Sequence, residues 1–271
     1  MYRLLIVTKD ARVEEMFASM EGWEAMGYKP PRLRSTVDDA KECMRMHHID
    51  AIAIDNDPAF APLNVYMDEQ YSLMPVFAIA DTEQSQWAIM REVYQLLNQL
   101  HADDSDDEYD EGYRLKMVQE RWMKKLLSGM APTRDYILTH HRMLRCPEKI
   151  DAPFLRIRLS IPQGDNFITE RWHYGSDRLE VALRNFFGEE HDHMKLHVAV
   201  ISPEEVRVMV SANPHKPDKA EVSPDRALGY IRETIEQIQN YLGLSMTLMD
   251  TKTLTSLTAL AAEECRSEPN Q

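Results

Sequence analysis

The chain has 271 residues, 44% of them hydrophobic, enough for cores in roughly two domains of ordinary size. A formal net charge of −14 disfavours non-specific binding to phosphate backbones, and no segment is locally basic. Cys43, Cys146 and Cys265 lie far apart without metal-ligand spacing. The N-terminus lacks the apolar core of a signal peptide, and no apolar run reaches the length of a membrane span. A reduced, cytoplasmic protein is therefore expected, and only 9 glycines argue against a glycine-rich phosphate loop.

Tyr2–Val7, YRLLIV, has the length and composition of a buried strand and runs into Thr8, Lys9 and Asp10. Val13, Met16, Phe17 and Met20 then recur at helical spacing over residues 11–21, and Gly22–Tyr28, GWEAMGY, closes that helix. Lys29–Arg34 carries Pro30 and Pro31, which remove ladder donors, so it suits only an edge strand. Ser35 and Thr36 offer N-caps to a helix with Val37, Ala40 and Met44 on one face.

Ile49–Pro58, IDAIAIDNDP, reads as a short buried strand ending on an acid, Asp55. A helix around Leu63–Tyr71, a strand over Pro75–Ala80 and an amphipathic helix over Thr82–Leu100 follow. This alternation predicts an α/β domain with a doubly wound, mostly parallel sheet. In such sheets ligands and chemistry sit at the carboxyl ends of the strands, where Asp55 falls. No fifth strand can be found after Leu100. The Pro75–Ala80 strand is thus expected at an exposed edge, needing cover from the next helix or another subunit.

Seven acids crowd Asp103–Glu111, DDSDDEYDE, a pattern expected of a solvated linker. Tyr113–Leu127 is an amphipathic helix with a stripe of Leu115, Val118, Trp122 and Leu126, ended by Gly129. The stripe suits packing on its own domain or, on a sharper reading, a dimer seam. Beyond it lie a helix over Tyr136–Leu144, a strand over Phe154–Ile161 and a helix over Ser176–Phe187. Residues 195–211 form a hairpin around Ser202, Pro203, Glu204 and Glu205. A helix over Pro224–Leu242 is capped from Ser223, and a strand over Leu244–Met249 and a last helix over Leu254–Cys265 complete an α+β domain.

YRLLIVTKD, GWEAMGY and IDAIAIDNDP at these separations resemble the receiver domain of YesN-type response regulators. The resemblance covers about residues 1–102. A working receiver is a small magnesium-dependent phosphotransferase. Carried over, the resemblance puts the phosphoacceptor at Asp55, the metal-binding acidic pair at Thr8 and Lys9 with Asp10 next, and the Ser/Thr position at Ala80, with Thr82 near. Magnesium sites need converging carboxylates, and phosphoryl transfer is mostly positioning and charge neutralisation. Two unit charges about 4 Å apart interact by about 4 kcal/mol at an effective dielectric of about 20, so a Lys9 ammonium opposes the metal and favours a Lys9–Asp55 pair. The expectation is a pseudo-receiver with no cofactor. Magnesium would enter, on Asp10 and Asp55 or with Asp57 as substitute ligand, only if the receiver were active. The runner-up is a phosphorylatable regulator, linked to transcription, that uses Asp55.

After a linker over residues 103–130, residues 131–271 resemble the middle domain of the same regulators, a degenerate nucleotide-cyclase (GGDEF-like) fold. YLGLSMTLMDTKTLTSLTALAAEECR resembles its end. Where a cyclase carries glycines at the hairpin turn, this chain has Ser202-Pro203-Glu204-Glu205-Val206, and proline cannot replace them. Phe187-Gly188-Glu189-Glu190 mimics the letters at a helix end. Cyclase or nucleotide-binding activity is a third reading. His191, His193 and His197 with Asp192 have ligand-like spacing, as weakly as His47-His48 and His140-His141, and are read as structural or surface residues. The family continues into AraC-type helix-turn-helix motifs, which would begin beyond Gln271, so nucleic-acid binding is not expected. Together these imply a non-enzymatic signalling protein acting through a protein partner, a sensor kinase or a regulator, or through homodimerisation.

Overall fold

The computed structural model describes residues 1–101, 110–213, 216 and 222–262. The chain divides into two compact units. The first comprises Met1–Gln119 with Thr139–Cys146, the second Glu120–Leu138 with Pro147–Gln271.

In the first unit four strands, β1 (Leu4–Val7), β2 (Arg32–Arg34), β3 (Ala51–Ile54) and β4 (Val76–Phe77), form a parallel sheet in the order β2-β1-β3-β4. Every residue of β1 and β3 is buried, as their unbroken apolar runs require of a sheet covered on both faces. Helices α1 (Ala11–Ser19), α2 (Val37–Met46), α3 (Ala61–Gln70) and α4 (Glu83–Leu100) supply that cover. Leu5, Val7, Ile52, Ile54 and Val76 share one core with Ala40 and Met44 of α2 and Leu63 and Met67 of α3. Leu4, Ile6, Ala51, Ala53 and Phe77 are buried toward the other face.

The GWEAMGY segment builds an aromatic cluster in that unit. Trp23 lies 6.2 Å from Phe17 and 4.8 Å from Trp87, ring centre to ring centre. The fully buried Tyr28 hydroxyl donates to the Met90 carbonyl (2.7 Å). Gly27 has φ +85°, and a Cβ there would meet the Tyr94 ring at 2.3 Å, so both backbone angle and space require glycine.

The β4 expectation needs correction. Of Pro75–Ala80 only Val76 and Phe77 enter the ladder. Past them the buried Gln86 side chain of α4 takes the place of a strand. Its Oε1 accepts from the Ala80 N–H (2.8 Å), and its Nε2 donates to the Ala78 carbonyl (3.4 Å). The edge expected to need cover is thus capped by one amide. No fifth strand joins this sheet among the described residues.

Helices α5 (Glu111–Leu127) and α6 (Arg134–Met143) each contribute to both units. Leu115, Trp122 and Leu126 of the α5 stripe are buried within the single chain and Val118 partly so. The stripe is therefore not free to serve as the dimer seam. Of the acidic run only Asp110 and Glu111 are described; residues 103–109 lie outside the described residues.

In the second unit β5 (Phe154–Ser160), β6 (Glu190–His191), β7 (Met194–Ser202), β8 (Glu205–Ala212) and β9 (Thr247–Leu254) form an antiparallel sheet in the order β6-β7-β8-β5-β9. Three helices, α7 (Gly164–Asn166, running into a π-helical turn, Phe167–Trp172), α8 (Gly175–Phe187) and α9 (Pro224–Leu242), complete it. Leaving β6 aside, the chain order is βαββαβ, a ferredoxin-like connectivity. Leu155, Ile157, Leu159, Val198, Val200, Val206, Val208 and Val210 face one core with Leu179, Leu183, Phe187, Ile231 and Ile238.

Two expectations shift. The strand placed at Leu244–Met249 runs instead over Thr247–Leu254, because its pairing with β5 continues to Phe154↔Leu254. This takes Leu254 from the expected final helix, of which a short 3-10 turn, Leu257–Leu260, and the helical Ala262 are seen among the described residues; residues 263–265 lie outside them. Partner-strand pairing outweighs the helical pattern there.

Replacing Gln86 by leucine is expected to leave the Ala78 and Ala80 backbone groups unsatisfied and to cost about 1–3 kcal/mol. Urea unfolding measures the loss, and hydrogen exchange should show the Ala80 amide opening faster.

Candidate functional site

At the carboxyl ends of β1 and β3 the backbone pairing runs one step further, with the Asp55 N–H donating to the Val7 carbonyl (2.9 Å). This places the Asp55 side chain beside Thr8. The Thr8 hydroxyl donates to Asp55 Oδ2 (2.9 Å) and accepts from the Asp10 N–H (3.0 Å). The Asn56 N–H donates to Asp55 Oδ1 (2.7 Å). Thr8 has no solvent exposure at all, so its hydroxyl needs both partners.

Asp10 is turned away to begin α1. Its Oδ1 accepts from the Arg12 backbone N–H (2.9 Å) and Nε (3.2 Å), and its Oδ2 from Arg12 Nη2 (2.8 Å). These bonds from Arg12 hold the Asp10 carboxyl below its ordinary range. Lys9 does not pair with Asp55 as expected. Its Nζ lies 4.0 Å from Asp57 Oδ2 and 5.4 Å from the centre of the Phe60 ring. Neighbours along an extended backbone point to opposite sides, so Lys9 diverges from Thr8, which faces Asp55. Ala80 borders the cleft and Thr82 does not; the Thr82 hydroxyl caps α4 through Ser85.

Asp10, Asp55 and Ala80 line a cleft of about 590 Å³ with Arg12, Asn56, Asp81, Glu83 and Arg142; Thr8 and Lys9 do not border it. Arg142 comes from α6, far along the chain. Its Nη1 donates to Asn56 Oδ1 and its Nη2 to Asn64 Oδ1, both at 3.3 Å. Arg145 pairs with Asp68 (2.5 Å). Burial first, and then the Arg145 charge, lowers the Arg142 guanidinium below its ordinary value. No short-range pattern in the sequence marks Arg142, whereas Arg12 stands at the position where a side chain reaches back to an N-cap acid.

Magnesium asks for several oxygens converging on one point. Asp10 and Asp55 are the acids the resemblance offers, yet Asp10 is held by a guanidinium and Asp55 by a hydroxyl and an amide. Among the described residues no three acid, histidine or cysteine donors of this cleft come within 4.8 Å of one another. The donor set as arranged does not fit the ion.

The histidines of the second unit do not assemble either. His197 Nε2 lies 2.8 Å from Glu148 Oε1, His191 stacks on Tyr230 with ring centres 3.8 Å apart, and His193 Nδ1 is buried without a hydrogen-bond partner. In the first unit His48 pairs with Asp50 (2.8 Å) and His140 with Glu92 (3.0 Å). The hairpin turn at Pro203-Glu204 packs its backbone against Gly164, while Ser202 and Glu204 stay exposed. A Cβ on Gly164 would lie 1.8 Å from the Pro203 carbonyl oxygen. Gly188 ends α8 with φ +68°, as the helix-end reading of Phe187-Gly188-Glu189-Glu190 expects.

No protein-family model matches the chain, and no curated protein matches it. Among the described residues no helix is long and apolar enough to cross a membrane.

Glu148 carries a pH prediction. Burial pushes its pKa up, but His197 and Lys195 (2.7 Å) outweigh burial and hold it well below the ordinary value of 4.5. A depressed carboxylate contributes stability that is present above about pH 4.5 and is lost as pH falls toward the folded value. Urea unfolding across this range should show that decline. Glu148→Gln should flatten it while costing about 3 kcal/mol at neutral pH, because the half-buried Lys195 ammonium loses its counter-charge.

Proposed function

We propose that this is a cytosolic, non-enzymatic signalling protein in which a receiver-like unit with a degenerate phosphorylation pocket is joined to a degenerate cyclase-like unit, and that it acts by contact with a protein partner. The observation that carries the reading is the placement of Asp55 at the end of the third strand of a 2-1-3-4 parallel sheet, with its carboxylate already engaged by Thr8 and Asn56. Further support comes from Asp10, held by Arg12, and from Lys9, whose charge is offset by Asp57. These built-in partners do the neutralising that a divalent cation would otherwise do. For the second unit, the βαββαβ order favours the cyclase-like resemblance. The proline at the hairpin turn, its carbonyl closely approached by Gly164, argues against nucleotide chemistry there.

The test is intact mass after incubation with Mg²⁺ and acetyl phosphate, with Asp55→Asn as control. No adduct on the folded protein is the expected result. An adduct abolished by Asp55→Asn would overturn the reading and restore an ordinary phosphorelay regulator using Asp55.

A further inference from the structure

The carboxyl ends of the first sheet carry the Asp55 cleft, and its amino ends carry a recess of opposite charge. Between the Tyr2–Tyr28 bridge and the Leu5–Arg32 pair, the β2 side of the ladder has one residue more than the β1 side. Pro30 and Pro31 lie in that span, and neither has an N–H to give to a ladder. Regular pairing therefore resumes only at Arg32, and a groove of about 540 Å³ opens, lined by the two prolines and the buried Leu4.

Every ionisable side chain that lines this groove is basic: Arg3, Lys29, Arg32 and His47, all of them exposed. The chain as a whole carries −14, so the groove runs against its average. The cations are also unengaged. In the rest of the unit Lys9 lies by Asp57, Arg12 binds Asp10 and Arg145 pairs with Asp68. Among the described residues no ion pair or side-chain hydrogen bond engages Arg3, Lys29 or Arg32. Asp50, beside Arg3 in the fold, does not line the groove. Its carboxylate accepts from the Arg3 backbone N–H (2.6 Å) and lies 2.8 Å from His48 Nε2.

Physical chemistry narrows the class of anion that would fit. A recess of this size suits a small molecule. Three fixed positive charges ask for more than one negative charge in little space, and one phosphate group brings about 1.5 to 2 charges on three acceptor oxygens. Guanidinium groups meet such oxygens with two parallel hydrogen bonds. A long polyanion would run onto the acidic remainder of the chain, whereas a small one feels charges only within about 8 Å at physiological salt.

We infer that this groove binds a small anion carrying two or more phosphate groups, with Arg3, Lys29 and Arg32 as its charge partners. The groove lies at the other ends of the strands from Asp55, so the inference is independent of the receiver reading.

Isothermal titration calorimetry of the full chain with inorganic tripolyphosphate tests it, with citrate as a carboxylate-bearing comparison. One-site binding of tripolyphosphate that weakens as salt is raised is expected, with citrate about tenfold weaker. Arg32→Glu and Lys29→Glu should each weaken tripolyphosphate binding about tenfold. Both side chains are exposed, so the fold should persist in these variants, and circular dichroism checks that it does. Arg232→Glu, at an exposed position of α9, makes the same change of net charge away from the groove and should leave binding unchanged. Absence of saturable binding, an equal loss in Arg232→Glu, or citrate bound as tightly as tripolyphosphate would overturn the inference.

Discussion

The hydrogen bond from the Thr8 hydroxyl to Asp55 joins the ends of two central strands, and much of the first unit is arranged around it. A buried hydroxyl must be satisfied in both directions. Thr8 meets this by donating to Asp55 and accepting from the Asp10 amide. That second bond fixes the backbone at Asp10, which is the N-cap of α1. The direction of α1 then sets Phe17 against Trp23, and Trp23 against Trp87 of α4. One threonine at a strand end thus links the sheet, the first helix and the aromatic cluster.

The second unit relies on buried charge that is paired. Glu180 accepts from the Val200 amide and from Arg184 (2.7 Å), and faces Lys124 (2.8 Å). Arg184 in turn bonds Glu120 and the Val198 carbonyl. This set ties the end of α5 to α8 and to the edge of β7. Glu148 does the same for Lys195 and His197 on the other face of the sheet, where the side chains of β7 alternate with those packed in the core. Removing one member of such a set strands the others in low dielectric, so these contacts specify one arrangement more than they add net stability.

Much of this was legible in the sequence. The strands with unbroken or alternating apolar runs, β1, β3, β5, β7 and β8, stand close to where periodicity puts them. Asp55 falls at a strand end because the run of Ala51–Ile54 leaves no other boundary. What periodicity misses is decided by partners distant in sequence. Val76–Phe77 stops early because Gln86 replaces the next strand bonds, and β9 runs on to Leu254 because β5 is there to pair with it. The cleft shows the same division. Thr8, Asp10 and Asp55 are local to strand ends, whereas Arg142 reaches Asn56 across 86 positions and leaves no mark near either residue.

The charges at the strand ends bear most directly on what this cleft can do. Several carboxylates gathered at one end of a sheet repel one another, and a divalent cation is one way to relieve that repulsion. Here relief comes from side chains of the same unit. Thr8 puts a hydroxyl where an acid would add charge, Arg12 neutralises Asp10, and Lys9 offsets Asp57. Arg142 adds a further cation, held by the neutral amide oxygens of Asn56 and Asn64. Asp81 and Glu83 also border the cleft, so Asp10 and Asp55 are the acids whose charge is met from within the chain. The arrangement therefore gives Asp10 and Asp55 their hydrogen-bond partners as the chain folds, from Arg12 on one side and from Thr8 and Asn56 on the other.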